Sequence, residues 1–346
     1  MLFERFSHGK LRLPNRLVRS AVCEGLTDQD FAPSAAMIDL EVKLAQAGCG
    51  LIIAGKTAVS PDGCILRKQC RLDSDRAIPA YRHLTGAVHA AGAKIFVQLG
   101  HGGKRSTVNP RTPADWSLQE LEAIPELFAA AAVRAKTAGF DGVQVHGAHG
   151  YLLSEFLSPC FNGRTDLYGG TLANRARLLL KTVAAIRRAA GDTFAIAVKL
   201  NSEDFVENGL TAAESVEVLQ KLASYGMDAA EISGGVPEAG MALNPARQGI
   251  SQAPYYAEFA AKLRGKLPVP VILTGGIRSL ETAENLLQNK VCDLIGLGRP
   301  LIAEPDLPLD WRKGKERFSR CAGCNGCFRP LVAGRGVACR LPEGHK

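Results

Sequence analysis

Gly142-Val143-Gln144-Val145-His146-Gly147-Ala148-His149-Gly150-Tyr151 is a short apolar strand that ends on a histidine and runs into a glycine-rich turn. The turn's small residues keep the backbone low, so the polar tips of His146, His149 and Tyr151 can converge on something lying across the strand end. Imidazoles can donate hydrogen bonds to a developing oxyanion, and a phenol can deliver a proton. One such histidine would read as a satisfied core or loop residue. Three such groups so close together read as a catalytic cluster.

The neighbouring sequence repeats one pattern, strand then helix. Before the histidine strand, Leu17 to Val22 reads as a first strand, Ser34 to Ala47 as a helix closed by Gly48, and Gly50 to Ala54 as a second strand. Ala80 to Ala91 reads as a helix stopped by Gly92, Lys94 to Leu99 as strand three, and Leu121 to Ala138 as a long helix ended by Gly139. After it come a helix from Leu172 to Ala190, a strand from Phe194 to Leu200, and a helix capped by Thr211 that runs to about Tyr225. Ala229 to Ser233, Val269 to Leu273 and Asp293 to Leu297 complete the strands, separated by helices at Pro254 to Leu263 and Leu280 to Gln288. Short strands joined by long crossovers are parallel, and eight such units close a (β/α)8 TIM barrel of the α/β class. A doubly wound open sheet is the rival. No Gly-x-Gly-x-x-Gly follows the first strand, which weakens it.

Composition agrees with a large-cored enzyme: 346 residues, 46% hydrophobic, with 36 glycines to serve many turns. The net charge is 42 − 34 = +8, but Lys and Arg are scattered, so no nucleic-acid partner is expected and an anionic cofactor suits the balance better. No apolar run is long enough for a membrane span, and the start lacks a basic region followed by an apolar stretch. A cytoplasmic protein acting on a small molecule, with no membrane partner, is expected; a homo-oligomer is expected as well.

A barrel makes a demand: chemistry belongs at the C-terminal ends of its strands. His146 meets it, as do Cys23 past strand one, Gln98 near the end of strand three and Lys199 near the end of strand five. The last two turns meet it more sharply. Gly275-Gly276 follows strand seven and Gly298-Arg299-Pro300 follows strand eight, where exposed amides and an arginine fork make a phosphate cradle. Either turn alone would be an ordinary glycine turn; the pair favours a phosphate-bearing ligand.

The order of several motifs resembles that of the Old Yellow Enzyme family. They are Pro14-Asn15-Arg16-Leu17-Val18-Arg19-Ser20-Ala21, Gly50-Leu51-Ile52-Ile53, Ser60-Pro61-Asp62-Gly63, Val97-Gln98-Leu99-Gly100-His101, and the run from His146 through Pro159. Asn162, Arg164-Thr165-Asp166, Tyr168-Gly169-Gly170, Asn174-Arg175, Gly275-Gly276 and Gly298-Arg299-Pro300 continue the likeness over almost the whole barrel. The resemblance implies an FMN-dependent oxidoreductase using NAD(P)H. It implies that the two late turns and Arg299 hold the FMN phosphate and that Gln98 meets the pyrimidine edge. Lys199 would place a cation near the flavin N1 and O2 region; the family often has arginine there, so lysine keeps the charge and loses the fork. Cys23 would tune the redox poise, or else be a small buried residue. His146 and His149 would hold a substrate carbonyl oxygen, and Tyr151 would protonate the α-carbon. Lys56 departs from the small residue that related sequences often carry, and a long cation there would narrow or recharge the substrate pocket.

Ten cysteines are present, four of them in the tail. Cys321-Ala322-Gly323-Cys324-Asn325-Gly326-Cys327, with Cys339 after eleven intervening residues, is a three-plus-one thiolate pattern suited to a [4Fe-4S] cluster. It resembles the iron–sulfur segment after the barrel in trimethylamine dehydrogenase and 2,4-dienoyl-CoA reductase. Structural zinc is the competing account, and a vestigial, ligand-free or disulfide-bonded site a third. Those relatives continue into further nucleotide-binding domains, whereas this chain ends seven residues past Cys339. Electrons would then arrive from NAD(P)H directly or through an electron-transfer partner. The expected organisation is an FMN-binding TIM barrel over 1–312 and a cysteine-rich segment over 313–346. The expected activity is ene reduction of α,β-unsaturated carbonyl compounds. The alternatives are an FMN and iron–sulfur amine or ether dehydrogenase or demethylase, and a non-flavin phosphate-binding lyase or isomerase.

Overall fold

The computed structural model describes residues 1–239, 254–315 and 318–341, so 316–317 and 342–346 of the expected 313–346 segment lie outside it. Eight parallel strands, β3 (Leu17–Arg19), β4 (Leu51–Ala58), β5 (Lys94–Gly100), β6 (Gly142–Gly147), β7 (Ala195–Asn201), β8 (Ala229–Ser233), β9 (Val271–Thr274) and β10 (Leu294–Leu297), close on themselves in chain order, with β10 pairing back onto β3. The expected TIM barrel is present.

The helices begin where short polar side chains catch the free amides of their first turns. Ser34 caps α1 (Ala35–Ala47), Ser117 and Glu120 form a capping box on α3 (Leu118–Thr137), Thr171 caps α5 (Leu172–Ala190), and Thr211 with Glu214 caps α6 (Ala212–Ser224). The remaining crossover helices are α2 (Ile78–Ala90), α7 (Ala257–Leu263) and α8 (Leu280–Gln288). Short helices the sequence reading missed are α4 (Leu152–Leu157), which follows the histidine turn, and α9 (Arg299–Ala303), α10 (Leu307–Arg312) and α11 (Phe328–Val332) after the barrel. Among the described residues no helix is long and apolar enough to cross a membrane.

Strand parity sorts the core into two parts. Outward residues such as Ile52, Val97, Val143, Val145, Ile196 and Val198 join the layer under the helices. Inward residues at the strand starts, among them Leu51, Phe96, Ala195, Ala229, Ile272 and Leu294, form an inner cluster with Phe6, Leu11 and Leu13. Those last three sit on a hairpin of β1 (Phe6–His8) and β2 (Leu11–Leu13), which plugs the N-terminal mouth of the barrel. The apolar filling of that half leaves the other end for polar chemistry.

Candidate active site

One inward position further along the strands, the barrel turns polar. Parallel register sets Gln98 opposite Gln144, and Lys199 opposite Glu231. Gln98 Nε2 donates to Gln144 Oε1 at 2.7 Å, and Gln144 Nε2 donates to Glu231 Oε2 at 2.6 Å. Glu231 Oε1 accepts from Ser20 Oγ at 2.5 Å and Thr274 Oγ1 at 2.7 Å, and lies 3.0 Å from Lys199 Nζ. Lys199 Nζ also donates to Ser20 Oγ at 2.8 Å. Burial opposes the charge on Glu231, yet Lys199 and the hydroxyl and amide donors hold its carboxyl below the ordinary range. The layer is thus a buried, paired charge with its hydrogen bonds met.

His146, Tyr151 and His149 stand at the rim above this layer. The His146 ring lies 5.2 Å from the His149 ring and 5.0 Å from the Tyr151 ring, centroid to centroid, edge-on in both cases. The Ala148 N–H donates to His146 Nδ1 at 3.3 Å, which leaves the proton on Nε2. His149 has a left-handed backbone, φ 65°, and its Nε2 is 2.7 Å from Ser233 Oγ. A non-glycine residue held there is strained, as is common where a side chain is aimed at a ligand. Burial, then the charges of His149, Lys56 and Lys199, keep His146 well below its usual range; burial and Lys199 push His149 down to about 3. Both rings are neutral at physiological pH. Burial and Cys23 push the Tyr151 phenol up, so it stays protonated.

These residues line a cavity of about 380 Å³, within the range typical of ligand and cofactor sites. Cys23, Gln98, Lys199, Gly275, Gly276, Gly298 and Arg299 line it too, so the expected site residues of the barrel all face one chamber. Gly275 and Gly276 hold φ of 113° and 77°, a turn that side chains resist. A Cβ at Gly298 would have only Val22 Cγ2 near it, at 3.9 Å, and would project into the chamber. A cradle open in that way, above a floor offering Lys199 and Gln98, fits the phosphate and ring of FMN. Burial and the Glu24 carboxylate push the Cys23 thiol up to about 12, so it faces the chamber uncharged.

Arg299 does more than face the cradle. Its Nη1 donates to Gly323 O at 3.1 Å and Asn325 Oδ1 at 2.6 Å, tying the tail to the barrel. Phe328, Leu331 and Val332 of the tail form part of the chamber wall. Cys321, Cys324, Cys327 and Cys339 are free thiols. The Gly326 N–H reaches Cys324 Sγ at 3.4 Å, a turn shaped around sulfur. Among the described residues, however, no three His, Cys, Asp or Glu side chains gather as ligands of one ion. The expected four-thiolate metal site is therefore not assembled here, for iron–sulfur or zinc alike.

Sequence reasoning missed Ser20, Gln144, Glu231, Ser233 and Thr274. Parity was the available signal: each falls on or beside a strand at an inward position where an apolar residue would otherwise be expected.

The model of the NADH:flavin oxidoreductase / NADH oxidase family matches residues 1–317. An NADH oxidase of Thermoanaerobacter brockii is 34% identical over 94% of this chain and 53% of its own. The chain spans about half the length of the first curated relatives it matches. Among solved structures, the old yellow enzyme homologue from Zymomonas mobilis superposes with a TM-score of 0.79 at 25% identity, covering 99% of this chain and 98% of that one. Histamine dehydrogenase from Rhizobium sp. 4-9 superposes at 0.85 with 27% identity, covering 98% and 51%.

Proposed function

Because the chain belongs to the NADH:flavin oxidoreductase / NADH oxidase family, we propose that it is an FMN-dependent NAD(P)H oxidoreductase that reduces activated C=C bonds of α,β-unsaturated carbonyl compounds. The observation that carries this reading is the convergence of two neutral imidazoles and a protonated phenol on one chamber. With the family match, the non-flavin lyase or isomerase alternative loses its ground.

When bound, FMN would supply the hydride chemistry that links NAD(P)H to the substrate β-carbon. Gly275, Gly276, Gly298 and Arg299 would hold its phosphate, Gln98 and Lys199 its pyrimidine side, with Cys23 near its reactive edge. The Glu231 pairing fixes the Lys199 ammonium in place. His146 offers Nε2–H to the substrate oxygen, and His149, buttressed by Ser233, approaches the same point. Neutral donors stabilise charge that develops on that oxygen without adding a cation that would favour the ground state equally. Tyr151 gives its proton to the α-carbon and recovers it from solvent. The sum is alkene plus NAD(P)H plus one proton, giving alkane plus NAD(P)⁺.

Two measurements test this. Purified protein should be yellow. In stopped flow, Tyr151→Phe should slow alkene reduction by on the order of 100-fold or more while flavin reduction by NAD(P)H changes little. Equal loss in both half-reactions removes the proton-donor role.

The likeness to histamine dehydrogenase supports a second reading, hydride abstraction from an amine, which anaerobic reduction by amines without NAD(P)H would favour. The barrel over 1–312 would be the catalytic part and 313–346 an appended segment. A [4Fe-4S] cluster on Cys321, Cys324, Cys327 and Cys339 rests on their spacing.

A further inference from the structure

Lys56 is a buried amine to which no acceptor among the described residues offers a hydrogen bond. The side chain is 4% exposed, and its Nζ is enclosed without a hydrogen-bond partner. It lies 3.3 Å above the centre of the Tyr151 ring, a cation–π contact, and it lines the chamber beside His146 and Cys23. Burying an ammonium without a carboxylate costs several kcal/mol or forces deprotonation. Lys199 in the same chamber has Glu231; Lys56 has no such mate among the described residues.

The backbone is built to point it inward. Between Ala54 and Thr57, β4 advances three residues while β5 advances two, from Val97 to Leu99. That extra residue is a bulge, a device that re-aims a side chain beside an active site. It falls on Gly55-Lys56. Gly55 is demanded by space, since a Cβ there would lie 1.9 Å from the Val22 carbonyl oxygen. Across the ladder, Gly100 leaves room for the lysine stem; a Cβ would meet Lys56 Cε at 2.8 Å.

We propose that Lys56 is the anion subsite of the substrate chamber, and that the substrate carries a carboxylate on the molecule whose double bond is reduced. The inference rests on reading this chamber as the substrate site. The Lys56 ammonium would pair with the carboxylate, with the Tyr151 ring beneath it and the His146 N–H alongside.

Among the described residues the charged and titratable groups facing the amine are Cys23, Cys64, Arg105, His146, His149, Tyr151 and Glu155. Burial pulls Lys56 down to about 7 despite Cys23, Glu155 and Cys64, and Arg105 adds to the depression. Burial pushes the Glu155 carboxyl up to about 8, against the Lys104 amide and the nearby cations, so it is a weak counter-charge at neutral pH. An anion binds the protonated amine and raises its pKa. Affinity is therefore greatest below about pH 7 and falls by about tenfold per pH unit above it, until the pKa of the complex is reached.

The test is calorimetric titration of the purified, flavin-bearing protein with 3-phenylpropanoate and its neutral amide at pH 6 and pH 8.5. Wild type should prefer the carboxylate by about tenfold or more at pH 6, with the preference shrinking at pH 8.5. Lys56→Met should abolish the preference and its pH dependence; Lys56→Arg should restore it at both pH values. Lys56→Met should unfold at the same or a higher temperature, because an unpaired buried amine has been removed. A carboxylate preference that survives in Lys56→Met, or one absent from wild type at pH 6, overturns the proposal. A colourless preparation would instead sink the flavin reading, while the carboxylate titration would still decide the subsite.

Discussion

Glu231 is a carboxylate on the inner wall of a barrel, fully buried, and it holds there because four groups from four strands or their ends answer it. Ser20, Gln144, Lys199 and Thr274 bind it directly, and Gln98 steadies Gln144. Glu231→Gln would strand the Lys199 ammonium. It is expected to lower stability by about 3–5 kcal/mol at pH 7, in denaturant titrations, with partial recovery in the double variant with Lys199→Met. The carboxyl is held below its ordinary value, so its contribution is complete above about pH 4.3 and disappears as the pH falls through the folded-state value. The gap between wild type and Glu231→Gln should therefore narrow on acidification below pH 4. In the sequence, Ala229-Ala230-Glu231-Ile232-Ser233 shows a strand with one charged residue; its partners lie 32 or more positions away.

Elements were legible where a local signal governs them. Helix-like apolar segments, with Gly48 closing α1 and Thr211 capping α6, located α1, α5, α6 and α8 to within a residue or so of their observed ends. The sequence reading ends strand β4 at Ala54. It runs on to Ala58 through the bulge, an irregularity that exists only against its partner β5. The β1–β2 hairpin was unseen, since three-residue strands carry too little periodicity to register. Gly55→Ala is expected to cost about 2 kcal/mol or more, by chemical denaturation, because the new methyl meets a backbone carbonyl that cannot step aside. The same change should weaken the carboxylate preference assigned to Lys56.

At the scale of the molecule, the tail is part of the barrel's active end. Leu331 Cδ1 sits where a Cβ on Gly25 would come within 2.4 Å, and the Val337 N–H donates to Glu24 O at 2.7 Å. The chamber thus has a wall supplied from beyond the last strand. The cysteine spacing supports a cluster in that wall, which would have to draw the four sulfurs together. Anaerobically prepared protein is then expected to contain iron, and Cys339→Ser to lose much of it while keeping its FMN. Wild type without iron, by metal analysis, removes the cluster.

The alternation of short apolar strands with long helices, and the caps and turn glycines between them, are properties of neighbours in the chain, and they were enough to specify a closed eight-stranded barrel. The same local reading placed His146, His149 and Tyr151 at one strand end, because all three lie on a single turn. What Lys199 is paired with, that Lys56 finds no hydrogen-bond acceptor among the described residues, and where Arg299 sends its hydrogen bonds were decided only on closure. Those contacts join residues far apart in sequence, and register between strands, bulge included, determines which side chains share a level inside the barrel.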